Sequence, residues 1–232
     1  MEIQDAPATF LFKLWPKIEA NWIRIAWGGG IAVVAVLVIS FYSWQQGQNE
    51  ITAGKALTQL MVTTAHNVLS PGQQADLFLK VATDYPGTAA GQRAWLQGAA
   101  ILFTMGNYPE AQVQFQKFLD KHPDSLFAGQ AALGVGTSLD AQGKADMAAA
   151  IYQQIIKKYA DVIAVTSARF ALAQIDERQG RLADAAGLYE DIAQNNPNGS
   201  IGSEAGLRAM ELKMKPQSPA PAAAPAVPFK LN

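Results

Sequence analysis

The chain has 232 residues, and 50% of them are hydrophobic, which is enough for a packed core. Eighteen basic and nineteen acidic residues leave a net charge of −1, without the block of like charge that would attract a phosphate backbone, so no nucleic-acid partner is expected. The sequence contains no cysteine, which excludes disulfides, thiolate metal sites, cysteine nucleophiles and acylated lipoprotein cysteines.

Two segments precede the predicted globular region. Residues 1–24 form a leader that mixes aromatic and basic residues, and Pro16 is expected to interrupt any long helix there. Residues 25–44 carry no charge, and a helix of that length, at about 1.5 Å per residue, spans a hydrocarbon layer of about 30 Å. Aromatic residues near both ends of this run match the two headgroup levels of a bilayer. The pattern predicts a single transmembrane anchor.

Two alternatives to the anchor are a buried soluble helix and a cleaved signal peptide. Cleavage is disfavoured because bulky rings within residues 41–44 stand where a signal peptidase needs small residues. Lys13, Lys17 and Arg24 precede the run, whereas Lys55 is the first basic residue after it, so the leader should remain cytoplasmic. This orientation predicts a single-pass protein of the bacterial inner membrane, with the rest of the chain in the periplasm.

A pattern of glycine, alanine, aromatic residue and proline in residues 106–123 recurs at an offset of 37 residues. The turn glycines are Gly106, Gly143 and Gly180, and the alanines are Ala111, Ala148 and Ala185. The aromatic column is Phe78, Phe115, Tyr152 and Tyr189, and the closing column is Pro86, Pro123, Ala160 and Pro197. A small residue lets two helices approach, and the ring four positions later lies on the same face, so the repeat unit is a packed pair of helices.

The repeat predicts antiparallel helix hairpins at about 50–84, 88–121, 125–159 and 162–195, and a last helix at about 200–213. Helix-capping residues are expected at the starts of helices, namely Ser70 before Pro71, then Thr88, Ser125, Asp161 and Ser200. Acidic residues that suit the first turn of the second helices are Glu110, Asp146 and Asp184. Because no alternating strand pattern occurs, the predicted fold class is all-α.

These columns resemble the tetratricopeptide repeat, whose signature reads W-x2-L-G-x2-Y, A-x3-F, P. The matching residues are Trp95, Ala111, Phe115 and Pro123, then Gly136, Ala148 and Tyr152, then Ala185, Tyr189 and Pro197. The period of 37 differs from the family's period of about 34, so each unit carries additional residues at a junction. The resemblance implies an α-solenoid of helix hairpins over residues 45–214.

A second resemblance concerns the whole arrangement of leader, anchor and exported repeats. The leader motif "KIEANW", the glycines at 28–30 and "SFYSW" at the outer end of the anchor resemble the ancillary subunit family of the bacterial Sec translocon. This resemblance implies a periplasmic module that sits beside the translocon and passes emerging proteins to chaperones.

The sequence offers little for catalysis. "GVGTSL", which begins at Gly134, has two glycines in phosphate-loop order but lies within a predicted helix, so Gly136 is interpreted as a helix contact. The two histidines, His66 and His122, are far apart in the chain, and His122 is expected on the surface at a helix end. Without cysteines or clustered carboxylates, neither a metal site, a cofactor site nor a nucleophile triad is predicted, and the protein is not expected to be an enzyme.

The tetratricopeptide resemblance also implies where a ligand would bind, because the first helix of each hairpin lines a concave groove in that family. The residues implied by register are Arg93, Leu96, Ala100 and Phe103, then Gln130, Leu133, Thr137 and Asp140, then Ser167, Phe170, Gln174 and Glu177. Leu96 and Ala100 replace the polar residues of carboxylate-clamp members, so extended or helical segments of client proteins are the expected ligands. The alternative is that the apolar members belong to the core.

The predicted function is that of a membrane-anchored protein-interaction module. It would assist protein export or envelope-complex assembly, with the translocon, periplasmic chaperones or envelope-assembly components as partners. The alternative is a structural scaffold of a division or outer-membrane assembly complex that binds no client, and the oligomeric state stays open. Residues 215–232 are expected to form a Pro/Ala-rich disordered tail, either a spacer that presents Phe229 and Leu231 or an inert segment.

Overall fold

The computed structural model describes residues 6–66, 69–160 and 162–214, so the predicted tail at 215–232 lies outside the described residues. The described residues form nine helices and no strand, which confirms the all-α prediction. The helices are α1 (Ala6–His66), α2 (Pro71–Asp84), α3 (Ala89–Thr104), α4 (Tyr108–Lys121), α5 (Ala128–Ala141), α6 (Ala145–Lys158), α7 (Val162–Arg178), α8 (Leu182–Asn195) and α9 (Ser200–Met214). The chain divides into two units, Met1–Thr52 and Ala53–Asn232, and α1 contributes to both.

In the first unit, the described residues belong to one helix. The expectation that Pro16 would interrupt it is wrong: α1 continues through Pro16, because a proline removes one backbone hydrogen bond and bends a helix without always ending it. The apolar side chains from Val33 to Trp44 are exposed, for example 62% for Leu37 and Trp44. Within the residues that the structure describes, no helix has the length and apolar character needed to cross a membrane.

In the second unit, helices follow one another in hairpins. Three residues separate α3 from α4, α5 from α6 and α7 from α8, and such short loops pack consecutive helices side by side and antiparallel. The first helices of these hairpins, α3, α5 and α7, also contact one another in sequence order, whereas the second helices make their main contacts with the helices before and after them. The predicted hairpins at 88–121, 125–159 and 162–195 are confirmed, with helix bounds that differ by a few residues. The first predicted hairpin, at 50–84, differs, because its first helix is the end of α1, which begins at Ala6, and α2 packs mainly against α3.

The two helices of a hairpin differ in composition because they differ in burial. α5, with the sequence AGQAALGVGTSLDA, is buried on several sides and is built mainly from small residues. α4 and α6 are amphipathic, and each buries one alanine, one aromatic ring and one further large side chain. A helix between two neighbours needs small residues for close approach, while an outer helix needs only one apolar face.

The turns within the hairpins have one geometry. Gly106, Gly143 and Gly180 adopt φ values of +80°, +75° and +79°, a conformation that favours glycine. After Gly143, the backbone N–H of Lys144 donates to the carbonyl of Leu139 at 3.0 Å, five residues back, as in a Schellman motif. The turn glycines predicted from the repeat are therefore confirmed.

The helix caps agree with the sequence only in part. Ser70 and Thr88 cap α2 and α3 through their side-chain oxygens, and Ser70 forms a capping box with Gln73. Ser125 does not cap α5; its hydroxyl donates to Gln92 Oε1 at 2.6 Å and accepts from the N–H of Phe127. Ser200 is the first residue of α9, and Asp161 lies outside the described residues. Whether a serine or threonine caps a helix depends on the backbone conformation of the loop before that helix, and the repeat period does not specify this conformation.

His122 is not the surface residue that the sequence predicted. Its ring centroid lies 6.0 Å from that of Trp95 and 5.2 Å from that of Phe118, and its Nε2 is buried without a hydrogen-bond partner. Burial, followed by the positive charge of Lys121, lowers the pKa of His122 below its ordinary value of 6.5. The imidazole therefore behaves mainly as a packing group in the α3–α4 hairpin.

Candidate functional site

The residues implied by the groove register lie on α3, α5 and α7 and differ in accessibility. Leu96 is only 4% exposed and belongs to the hydrophobic core, so it lies inside the hairpin stack instead of on the groove surface. The exposed ones are Arg93, Gln130 and Gln174. The half-buried ones are Ala100, Phe103, Leu133, Thr137, Asp140, Ser167, Phe170 and Glu177. A ligand thus has access to a surface that contains both polar and apolar side chains.

A cavity of about 560 Å³ opens on this surface and collects residues from three consecutive hairpins. Four residues of the predicted set line it, namely Phe103, Thr137, Asp140 and Gln174. The others that line it are Ala141, Gly143, Ala145, Tyr152, Ala171 and Arg178. Its volume lies within the range of ligand pockets, and one large side chain of a bound segment would fit inside.

An ion pair between consecutive hairpins borders the cavity. Arg178 of α7 donates through Nη2 to Oδ1 of Asp140 on α5 at 2.6 Å. The arginine side chain is about half exposed, while the aspartate is more covered. Because the guanidinium has five N–H donors, it retains donors for a ligand acceptor while it holds Asp140.

Tyr152 of α6 forms an inner wall of the cavity and is fully buried. Burial raises the pKa of the Tyr152 phenol, the charge of Asp140 raises it further, and Arg178 acts in the opposite direction. The phenol is therefore neutral at any physiological pH, so this group supplies shape and cannot supply a phenolate nucleophile.

The same columns meet again one repeat later. Glu177 accepts a long hydrogen bond of 3.5 Å from the Tyr189 hydroxyl, and the ring of Phe170 packs edge-on against Tyr189 at a centroid distance of 5.3 Å. Burial, with the charge of Glu177 next, raises the pKa of Tyr189 to about 12. A carboxylate facing a buried tyrosine is thus a recurring element of the groove, on α5 with α6 and on α7 with α8.

Six cavity residues were missed as site residues, and two of them, Tyr152 and Arg178, carry polar side chains. Tyr152 appeared in the sequence only as a packing aromatic, since its column is filled by phenylalanine or tyrosine. Arg178 stands one position beyond the register column of Glu177, so it was not included. The sequence did contain a signal for Arg178. It follows Asp140 by 38 residues, one more than the repeat period, and this separation places the two opposite charges on adjacent first helices.

Within the part of the chain that the structure describes, no three His, Cys, Asp or Glu side chains converge as metal ligands. The cavity combines apolar walls, the hydroxyl of Thr137, the amide of Gln174, the buried phenol of Tyr152 and one ion pair. Such a lining fits recognition of a protein segment through one inserted side chain and a few hydrogen bonds.

Comparison with known families agrees with the helix pattern. The model of the tetratricopeptide repeat-like domain matches residues 15–151, which is more than half of the chain, and the model of the tetratricopeptide repeat matches residues 136–200. The chain belongs to the tetratricopeptide repeat-like family. Repeats of this kind are protein-interaction modules and are generally non-catalytic, so the protein is assigned to that class.

Among solved structures, one described as "MamA RS-1 ArsTM double mutant" matches with 16% sequence identity and a TM-score of 0.45, and the match covers 69% of this chain and 94% of that chain. No curated protein matches.

Proposed function

We propose that the groove of α3, α5 and α7 binds a segment of another protein, and that one large side chain of that segment fills the cavity beside Asp140 and Arg178. The observation that carries the proposal is the cavity itself, which draws residues from three consecutive hairpins. A solenoid surface of this kind binds extended or helical segments along its first helices.

The cavity can be blocked without disturbing the core, because Gln174 lines it from an exposed position. Gln174→Trp should place an indole into the cavity and lower partner recovery about tenfold, as expected for loss of one anchoring pocket. Recovery is measured by quantitative mass spectrometry after affinity purification of the full chain. Gln154→Trp, at an exposed glutamine on the second helix α6, is the matched control and should bind partners normally.

The scaffold alternative gives the opposite result in the same experiment. If Gln154→Trp loses partners while Gln174→Trp retains them, binding occurs on the second helices and the groove proposal is wrong. Equal recovery from both variants also contradicts it.

We further propose that residues 25–44 anchor the repeats in a bacterial inner membrane, with the repeats in the periplasm, where they assist protein export or envelope-complex assembly. Support comes from the uninterrupted uncharged run and from the basic residues Lys13, Lys17 and Arg24 before it. Confinement beside a membrane machine would raise the local concentration of the groove for its partners.

A topology reporter placed after residue 214, together with alkaline extraction of membranes, tests the anchor. A reporter enzyme that works only in the periplasm should be active at this position, and one that works only in the cytoplasm should be inactive. Deletion of residues 25–44 should release the protein from the membrane. Extraction of the intact chain by alkali, or a cytoplasmic reporter signal, would overturn the anchor but would leave the groove proposal unaffected.

Photo-crosslinking in cells tests the partner class. A photoreactive residue at position 174 should yield adducts with translocon, chaperone or envelope-assembly components, and the same residue at position 154 should not. Adducts of equal yield at both positions would contradict a groove-specific partner.

A further inference from the structure

α9 has one apolar face that no described helix covers. Its buried side, which includes Ala205, Ala209 and Leu212, packs in the cluster that also contains α8. On another side, Leu207, Met210 and Met214 are 71%, 65% and 79% exposed. Spacings of three and four residues place these three side chains in one stripe along the helix.

The repeat register shows what the central residue of this stripe normally meets. Met210 occupies the position of Ala99, Gly136 and Ala173, all of which are buried, whereas Leu207 and Met214 occupy the half-buried positions of Phe170 and Glu177. At Gly136 the neighbour is the Tyr152 ring on the second helix of the same hairpin, only 2.5 Å from an added Cβ. α9 is thus a first helix, and within the described residues no second helix follows it to cover Met210.

We propose that residues 215–232 of the same chain fold back and cover the stripe formed by Leu207, Met210 and Met214. This segment contains five prolines between Pro216 and Pro228, each of which would remove a helix hydrogen bond, so the proposed contact replaces the missing second helix with an extended, strand-like segment at its end. This inference goes beyond the proposed groove and does not depend on it.

The apolar residues of the segment have the spacing that such a contact needs. Val227, Phe229 and Leu231 alternate with other residues, and alternation places all three on one side of an extended chain. They span about 13 Å at about 3.3 Å per residue. The stripe from Leu207 to Met214 spans about 10 Å at about 1.5 Å per residue, so the two apolar rows have comparable lengths.

The intervening chain is long enough for the return. Residues 215–226, in a polyproline-type conformation of about 3.1 Å per residue, reach about 37 Å. α9 itself is about 22 Å long, so the linker allows Phe229 to reach any point of the stripe.

The same chain is favoured over a second copy because of the linker. A short tether holds its segment at an effective concentration on the order of millimolar, which exceeds that of any second copy at ordinary protein concentrations. Two other outcomes are a dimer in which the α9 stripes of two chains meet, and residues 215–232 that do not bind the stripe. The test below distinguishes both from the proposed contact.

The absence of native cysteine allows that test in the full chain. Glu211→Cys stands beside the stripe, and Lys230→Cys stands between Phe229 and Leu231, so the apolar residues of both rows are retained. A short bismaleimide should link the two thiols within one chain, at a rate independent of protein concentration. The matched control is Lys80→Cys with Lys230→Cys, because Lys80 is exposed on α2 at the other end of the hairpin series and should link at least about tenfold more slowly.

Links between two chains at position 211 would identify a second copy as the occupant and overturn the proposal. Equal rates for the two cysteine pairs would show a segment without a preferred position and would also overturn it. As an independent measurement, Phe229→Ser with Leu231→Ser should uncover the stripe and raise the fluorescence of an apolar dye several-fold at unchanged helix content. Ala222→Ser with Ala224→Ser is the control, and equal dye signals from the two double variants would contradict the contact.

Discussion

At the scale of single residues, two glycines set the distance between α5 and its neighbours. An added Cβ at Gly134 would lie 2.6 Å from the Phe115 ring on α4, and one at Gly136 would lie 2.5 Å from the Tyr152 ring on α6. Both rings are buried, so neither can move aside freely. α5 thus uses one glycine for the preceding hairpin and one for its own, which makes room for the large rings of Phe115 and Tyr152.

Gly136→Ala should therefore lower the free energy of unfolding by about 1–3 kcal/mol, the usual range for overpacking. Equilibrium denaturation with urea, followed by circular dichroism, measures the change. Gly187→Ala on α8 is the control, because nothing lies within 4 Å of its added Cβ. There the helix should be unchanged or stabilised by up to about 1 kcal/mol. Equal effects of the two substitutions would show that the close approach to Tyr152 is not a determinant of stability.

His122 makes stability depend on pH. Its pKa in the folded chain lies below the ordinary 6.5, so the unfolded chain takes up the proton first as the pH falls. The stabilising contribution of neutral His122 to the free energy of unfolding is complete above about pH 6.5, and it is lost as the pH falls through the folded-state pKa. His122→Gln should show a shallower decrease in the free energy of unfolding over that interval, and His66 is present in both chains and cancels in the comparison. Identical pH profiles would contradict the role of His122.

At the scale of elements, each hairpin depends on the ring of its second helix. Phe115 is 6% exposed and lies against α5 at Gly134, so it joins α4 to the following hairpin. Phe115→Ala should lower the free energy of unfolding by about 3–5 kcal/mol, as for other buried aromatics. Val113→Ala, at an exposed position of the same helix, should change it by less than about 1 kcal/mol in the same urea titration. A loss below about 1 kcal/mol for Phe115→Ala would mean that the neighbouring helices close the space.

The elements also show which features a single sequence specifies. The positions of Gly143, Ala148 and Tyr152 were predictable because each satisfies a requirement that recurs in every repeat, a left-handed turn or a helix contact. The course of the junction at Ser125 was not, because its hydroxyl is used by Gln92 of the preceding hairpin, a contact between residues 33 apart.

The candidate site was predictable to a similar degree. The register identified Phe103, Thr137, Asp140 and Gln174, which meet at one cavity. The register also included Leu96, which is buried. Neighbouring hairpins differ in side-chain size, so the same repeat column can face the groove in one hairpin and the core in another. The place of Arg178 at the cavity depends on its ion pair with Asp140 on the neighbouring first helix, and a single sequence does not show which charged residues meet in the folded chain.

At the scale of the whole second unit, the core is divided along the chain. One buried cluster extends from Ala75 to Ile175, and a second, smaller one extends from Ala173 to Leu212. α5 contacts α3, α4, α6 and α7, whereas α9 packs mainly on α8. Because each repeat is stabilised by its neighbours, local stability should decrease toward α9.

Hydrogen exchange should reveal this gradient. Amides of α5 should exchange only through unfolding of most of the repeats, and amides of α8 and α9 should exchange earlier, through opening of the smaller cluster alone. Leu212→Ala, which removes a buried side chain of that cluster, should accelerate exchange in α8 and α9 and leave α5 unchanged. Mass spectrometry of exchanged peptides resolves the two regions, and uniform acceleration in α5 and α9 would mean that the two clusters unfold as one cooperative core.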